Sequence, residues 1–417
     1  MTAPVLGRNY RLLWSAAVSS RFGDSLRTPA LALLAATLTR DPRAIAAVIV
    51  AGQLPPLLLG LLGGAYADRW DRRRTMAAVD AARAAVVGGL AVLVATGRAG
   101  VVALAAVAFL LAALGTRFDA ASFALLPSLV PPAALAAANG RLQAGTAVAG
   151  GFLGAPLAGV LFALTAALPF TVDALTFALA ALLTLSLRPT PALTPALTPA
   201  RRGAGRGGVW AEAVEGVRWV RRDRVLWGVT VATAGSNLAI SGVMAVLVLY
   251  ALTVLRVPAA AYGLLAAGAV LGGLVGALAA GRLAARFGTL PALRGVLVAQ
   301  TLALTGFAVA RHPLTGGVTL ACFAAGTTIW NSLWSAYGQR HVPPGLLGRV
   351  GAAQRMVGLA SAPIGAALAG FAGQAYGVAP VGWAAAGVFA VVTAGAWRTL
   401  RGAGSAVERR TEPVPRP

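Results

Sequence analysis

Uncharged apolar runs recur along most of the chain and are separated by short connections that carry arginine. A helix needs about 20 apolar residues to cross the roughly 30 Å hydrocarbon core of a bilayer. Because backbone polar groups in lipid must bond within their own segment, runs of that length are predicted to be transmembrane α-helices. Six runs reach or exceed it without a single charge: 44–67, 142–172, 225–255, 257–281, 313–339 and 356–397.

These runs and the apolar segments between them predict twelve transmembrane helices. The run 356–397 is too long for one helix, and it is expected to break at 376–380, where Gly377 and Pro380 favour a turn. The predicted helices cover about 11–38, 44–67, 75–96, 100–124, 138–164, 167–187, 225–252, 259–281, 289–310, 314–338, 352–376 and 380–398.

A polar central segment separates six predicted helices from the other six. It contains a proline repeat at 190–200, which favours an extended spacer, and an amphipathic pattern at 209–224. That pattern is typical either of a helix lying on the membrane face or of an ordinary capping helix in the linker. We predict an all-α integral membrane protein of twelve transmembrane helices in two pseudo-symmetric six-helix halves. Its parts are an N-terminal bundle (1–187), a linker (188–224), a C-terminal bundle (225–398) and a disordered cytoplasmic tail (399–417).

The composition excludes several classes of protein. Apolar types make up 58% of the 417 residues and charged types only 11%, too few to cover the surface of a soluble protein and too apolar for disorder. All 35 basic residues are arginine, which excludes sites that need a lysine. One cysteine, Cys322, and two separated histidines, His312 and His341, offer neither a disulfide nor a zinc cluster. We expect no cofactor, no metal and no enzymatic activity.

The arginines are distributed unequally over the two predicted membrane faces. With the N-terminus inside, 26 of them fall on the cytoplasmic side, 5 on the opposite side and 4 within helices. The positive-inside rule therefore places both termini in the cytoplasm of a plasma-membrane protein. The same asymmetry explains the net charge of +23 through contact with anionic lipid, without nucleic acid. Arg21, Asp24 and Arg27 interrupt any signal-peptide core, so the first helix is expected to stay as an anchor.

Several motifs identify the chain as resembling the major facilitator superfamily, in particular its siderophore-exporter and macrolide-efflux branch. The connection after the second helix matches the family pattern G-x-x-x-D-R-x-G-R-R, with Asp71 in place of the second glycine. The equivalent stretch of the second half, 281–288, has Ala285 in place of the aspartate. Other matching positions are Gly23, Asp24, Asp80, Arg83, Ala138, Asn139, Asp173, Phe177, Gln339, Gly348, Arg349 and Val350. The span-five antiporter motif is matched less well, because Ala155 precedes Pro156 where the family has glycine.

The resemblance implies a secondary transporter with alternating access and a central cavity lined by the first, fourth, seventh and tenth helices. It implies a gate at the signature, which consists of Gly64, Asp68, Arg69, Arg72 and Arg73 with Asp80 and Arg83 nearby. The polar cavity residues would be Arg21, Asn237, Ser241, Trp330, Asn331 and Trp334. Rings and amides with few charges suit a bulky amphipathic ligand, although aromatic residues that only pack the bundle would give the same pattern.

Acids within predicted helices are functional candidates, because an unpaired charge in hydrocarbon is costly. They are Asp24, Asp80, Asp119 and Asp173, all in the first half. Two interpretations of Asp24 stay open: it neutralises Arg21 and Arg27, or it titrates during transport. Asp80 and Arg83 are expected to form an intrahelical pair, and Asp173 to be a packing residue. Arg117 with Asp119 is an alternative site of proton coupling, which the resemblance suggests for a span-four arginine.

The predicted function is export of small hydrophobic or amphipathic compounds, drug-like or siderophore-like, by proton antiport. The expected partners are the transported compound, protons and the lipid bilayer, and the chain is expected to be a monomer. Movement of lysophospholipids or other metabolites is the alternative within this fold. A membrane-embedded lipid-modifying enzyme is the alternative outside it, but the predicted helices contain no histidine and no clustered acidic motif of the kind such enzymes need.

The arginine asymmetry makes the topology testable. A reporter that is active only in the cytoplasm, fused after Pro417, should give signal, and a reporter active only outside the membrane should be silent there. Signal from the outside reporter would contradict the whole assignment of sides.

Overall fold

The structure is a computed structural model, and it describes residues 7–66, 72–131, 135–188, 218–342 and 347–411. Within these ranges the backbone alone is described for some helical residues, namely 59–66, 72, 117, 119–124, 126–128, 135–137, 139, 152, 339–341, 347–349, 352, 353, 355 and 402–411. The proline repeat and most of the segment 209–224 lie outside the described residues, whereas 218–222 is helical as predicted.

The first half of the chain forms six spanning segments. They are α1 (Arg8–Leu38), α2 (Pro42–Tyr66), α3 (Arg72–Ala95), α4 (Val101–Leu129), a composite fifth segment and α7 (Leu168–Leu185). The fifth segment consists of α5 (Leu135–Ala147), a π-helical stretch (Val148–Gly154) and α6 (Ala155–Leu164).

The second half also forms six spanning helices. They are α8 (Arg224–Thr253), α9 (Tyr262–Phe287), α10 (Thr289–Val309), α11 (Pro313–His341), α12 (Leu347–Tyr376) and α13 (Val378–Thr411). A short 3₁₀ turn (Ala259–Ala261) precedes α9. The prediction of an all-α protein with twelve spanning helices in two halves is thereby confirmed for the described residues.

The amino-acid sequence explains the apolar character of these helices and two of their boundaries. Eight helices among the described residues are long and apolar enough to cross a membrane, and charges or polar residues interrupt the apolar character of others, such as α1. The break between α12 and α13 falls at Gly377, whose φ of +84° lies in the left-handed region that favours glycine. Asp223 caps α8 by accepting hydrogen bonds from the backbone N–H groups of Val225 and Leu226, at 2.8 and 3.0 Å. The last helix continues past residue 398, through most of the predicted tail, to Thr411.

The chain divides into two compact units, 1–205 with 257–267 and 206–256 with 268–417. In the first unit, glycines bring the composite fifth segment against α1. A Cβ at Gly145 would meet the ring of Trp14, and one at Gly154 would clash with Ser25. Gly159 lies in the same way against Ala260 of the 3₁₀ turn. These glycines therefore allow the helices to approach closely.

The second unit uses the same device between α9 and α11. A Cβ at Gly272 would clash with the backbone of Ala321, and one at Gly276 with the backbone of Ala325. Elsewhere in this unit the buried Tyr250 stacks on Phe307 with ring centroids 4.6 Å apart. Its hydroxyl donates to the Phe307 carbonyl at 3.1 Å, so this buried tyrosine packs as an apolar ring and also has a partner for its polar group.

Candidate functional site

A single arginine joins two carboxylates inside the first unit. Arg27 of α1 donates through Nε to Asp173 of α7 at 2.8 Å, and its Nη2 pairs with Asp24, one helical turn earlier on α1. The Asp173 side chain is 0% exposed, whereas that of Asp24 is 29% exposed. Arg27 therefore connects a fully buried carboxylate to an accessible one.

A second ion pair lies on α3. Arg83 donates to Asp80 at 3.4 Å, and the two are three residues apart, so the predicted intrahelical pair is confirmed. The Arg83 guanidinium also lies over the rings of Phe118 and Phe177, 4.9 and 5.3 Å from their centroids. These contacts stabilise a cation that has little access to water.

The two ion pairs belong to one electrostatic cluster, which we call the acid–arginine cluster (Asp24, Arg27, Asp80, Arg83 and Asp173). Asp24 interacts electrostatically with both Asp80 and Asp173, and Arg83 interacts with Asp173. Each buried acid keeps one oxygen that has no hydrogen-bond partner among the described residues, Oδ2 of Asp80 and Oδ1 of Asp173. A buried carboxylate oxygen that lacks a partner raises the free energy of the ionised form, so binding a proton relieves the cost.

The close approach of α1 and α7 depends on Gly23. A Cβ at this position would clash with the side chains of Asp173 and Thr176. Ser19 of α1 adds a hydrogen bond to the Thr176 carbonyl at 3.2 Å. Arg21, which the sequence groups with Asp24 and Arg27, lies instead beside Gly150 of the π-helical stretch, and no described residue forms an ion pair with it. Arg27 alone holds Asp24 in the described part of the chain.

Six of the predicted site residues lie outside the described residues or at helical positions where only the backbone is described. Asp68 and Arg69 are outside the described residues, and Gly64, Arg72, Arg117 and Asp119 belong to helices whose side chains at those positions are not described. Arg73 of the signature is described. Its guanidinium donates to the Leu187 carbonyl just beyond the end of α7, which ties the start of α3 to that helix.

The second unit contains a cavity of about 780 Å³ between α8, α11 and α12. Every described residue that lines it is uncharged, and its polar side chains are amides, hydroxyls and indoles. They are Thr230, Thr233, Asn237, Trp330, Asn331, Trp334, Ser335 and Gln354. The volume lies within the usual range for small-molecule sites, about 300–1,000 Å³.

This cavity contains four of the predicted ligand-site residues, Asn237, Trp330, Asn331 and Trp334. Ser241 does not line the described cavity, because it lies one turn further along α8 and is buried. Sequence reasoning missed Gln354, whose Nε2 donates to Thr230 at 3.1 Å across the gap between α12 and α8. The feature of the sequence that could have identified Gln354 is an amide side chain near the start of a predicted membrane helix. Asp173 was interpreted as a packing residue, although its bond to Arg27 makes it part of the charged cluster.

Comparison with known proteins agrees with this arrangement. The sequence profile of the Major Facilitator Superfamily matches residues 13–366, and the chain therefore belongs to that superfamily. It is a multi-pass membrane protein with the transporter fold of that superfamily.

The chain is similar to uncharacterized MFS-type transporters of Mycobacterium bovis and Mycobacterium tuberculosis, each 37% identical over 142 residues. That match covers 33% of this chain, and it spans about a third of the length of each relative, 32%. Among solved structures, a mutant of the nucleoside transporter NupG aligns with 94% of the chain and 100% of its own, at a TM-score of 0.76 and 14% identity. A bacterial homologue of the iron transporter ferroportin aligns with 95% and 100%, at a TM-score of 0.75 and 18% identity. Identities this low show a shared fold.

The Arg27 bridge predicts a stability difference. Arg27→Gln leaves the buried Asp173 without its hydrogen-bonded cation and should lower the free energy of unfolding by about 3–5 kcal/mol, as seen when one partner of a buried pair is removed. Arg43→Gln is the matched control, because it breaks the exposed Arg43–Asp41 pair, which water screens, and should change stability far less. Unfolding of the purified protein in mixed micelles measures both.

The double variant Arg27→Gln/Asp173→Asn tests the same ion pair, because it removes both of its charges. Removing the orphaned charge should recover much of the loss, because both partners are then neutral. Equal losses for Arg27→Gln and Arg43→Gln, or a double variant no more stable than Arg27→Gln, would contradict the bridge.

Proposed function

We propose that this transporter exports small hydrophobic or amphipathic compounds, drug-like or siderophore-like, in exchange for protons by alternating access in the plasma membrane. It works as a monomer with both termini in the cytoplasm. The observation that carries the proposal is the chemical difference between the two units: charges cluster in the first, and the second contains a large uncharged cavity. Proton binding and ligand binding are thereby assigned to separate groups.

Asp24 is the proposed proton-coupling carboxylate. It is the most accessible acid of the acid–arginine cluster, and it shares Arg27 with the fully buried Asp173. When Asp24 binds a proton, Arg27 loses one of its two anionic partners and pairs with Asp173 alone. When Asp24 releases the proton, Arg27 pairs with both carboxylates again. A change of protonation at Asp24 thus alters the electrostatic link between α1 and α7.

Burial explains why such a step belongs to this cluster. The unpartnered oxygens of Asp80 and Asp173 make the fully ionised state costly, and the interaction of Asp24 with both acids increases that cost. Protonating one member of the set lowers the repulsion felt by the other two. The free energy available from one proton is of order 1.4 kcal/mol per pH unit, enough to bias a conformational step.

The signature after the second helix is proposed as the gate. Asp68, with Arg69 and Arg72, would hold one conformational state closed, as the family resemblance implies. Arg73 adds a bond to the Leu187 carbonyl, so a movement of the signature would be transmitted to the end of α7. The second half has Ala285 at the corresponding position, and the proposed gate is therefore asymmetric.

Asp24→Asn tests the proposal, because it keeps the shape of the side chain and removes its titration. In proteoliposomes, the variant should lose export driven by a pH gradient while binding and downhill exchange of the compound persist. A panel of dyes, antibiotics and siderophores supplies the compounds. Asp41→Asn is the control, since Asp41 is an acid in the connection between α1 and α2 and should leave coupling unchanged.

The Asp119→Asn variant is tested in the same export assay as Asp24→Asn, because Arg117 and Asp119 form the alternative coupling site. If Asp24→Asn still accumulates the compound against its gradient and Asp119→Asn does not, the proton belongs to α4. If wild-type protein moves nothing from the panel in response to a pH gradient, proton antiport of this class of compound is wrong.

A further inference from the structure

One face of α11 carries three aromatic rings in a stack. Trp330 and Trp334 are four residues apart, and Tyr337 follows three residues later, so all three share one helical face. Their centroids are separated by 6.5 and 5.4 Å, and successive ring planes differ by only 16° and 15°. The two tryptophans line the cavity of the second unit. The cavity therefore has one wall of nearly parallel indoles.

Amides stand beside this wall and across from it. Asn331, on α11 itself, and Asn237, on α8, line the cavity, and neither side chain has a hydrogen-bond partner among the described residues. A Cβ at Gly358 would lie 2.9 Å from Nδ2 of Asn237, so the glycine makes room for that amide. Because an amide donates and accepts, the cavity offers both kinds of hydrogen bond with no partner yet assigned.

The described lining of the cavity contains no charged side chain. An ion placed there would lose hydration without gaining a counter-ion, whereas a neutral polar group loses only the hydrogen bonds that the amides return. The part of a ligand that this cavity holds is therefore uncharged.

We propose that the cavity binds a planar, uncharged heteroaromatic compound, whose ring packs against the indoles of Trp330 and Trp334 while its polar edge bonds to Asn237 and Asn331. The inference rests on the proposed function, because it names the class of compound that the exporter takes. Flat rings gain from indoles through offset-stacked or edge-to-face contact, and an alkyl chain does not. Free amides add selectivity, since a ligand without polar edge atoms would leave them desolvated and unpaired.

Binding to the purified protein in lipid nanodiscs tests the inference directly. Adenosine, uridine, riboflavin and caffeine serve as planar uncharged probes, and decyl maltoside serves as the uncharged aliphatic probe. Equilibrium dialysis measures each Kd, so the readout does not depend on tryptophan fluorescence. At least one planar probe should bind more tightly than decyl maltoside by tenfold or more.

Variants then locate the binding. Trp334→Leu should weaken the planar probe by about threefold to tenfold, the value of one aromatic stacking contact, and Trp334→Phe should weaken it less. Asn237→Leu should weaken a probe with edge donors, such as adenosine, more than caffeine, which has none. Trp397→Leu is the matched control, because that ring contacts Arg294 and Arg401 and does not line the described cavity. The conservative Trp334→Phe variant guards against a general loss of folding.

The outcomes separate this inference from the proposed function. If no planar probe binds, or if Trp334→Leu and Asn237→Leu bind it as well as wild type, the ligand class is wrong. In that case, pH-driven export of an aliphatic amphiphile would leave the proposed function intact. Conversely, if a planar probe binds as predicted and no compound responds to a pH gradient, the ligand class stands and proton antiport fails.

Discussion

The arrangement of the first unit depends on one constraint: a charge in the membrane interior must have a partner. Arg27 meets it for two carboxylates at once, Asp24 on its own helix and Asp173 on α7. The contact requires α1 and α7 to lie so close that only glycine fits at position 23. Charge pairing and close packing are therefore one structural feature, and a change in the protonation of either acid acts directly on how the two helices are held together.

The cavity of the second unit is polar without a charged side chain among the described residues that line it. Its polarity resides in amides, hydroxyls and indoles, which can line a cavity inside the membrane because they need hydrogen bonds and no counter-ions. Glycines such as Gly272 again set the helix spacing, here between α9 and α11. Two halves with similar helix order thus differ in the chemistry that they can support. The first half is proposed to bind protons, and the second a bulky neutral compound.

Sequence predicted the helices well because apolar length and glycine are local signals; the break at Gly377 is an example. Four cavity residues were also predicted, because polar side chains within membrane helices are rare enough to stand out. The partner of Arg27 could not be predicted, since Asp173 lies 146 residues away and the spacing along α1 suggested Arg21, Asp24 and Arg27 as a closed set. Gln354 was missed for the same reason, because its role comes from Thr230 on another helix.

A carboxylic acid in the acid–arginine cluster is proposed to bind the coupling proton, and infrared spectroscopy of the purified protein in lipid observes such an acid directly. Between about pH 5 and 8, where exposed carboxylates stay ionised, the carbonyl band of a protonated carboxylic acid should grow as the pH falls. The band should weaken when an acid of the cluster is replaced by asparagine, at Asp24, Asp80 or Asp173, and it should be retained in Asn237→Leu, which alters only the cavity of the second unit. A band that none of the three replacements weakens, or that is absent from the wild-type protein, would contradict proton binding by this cluster.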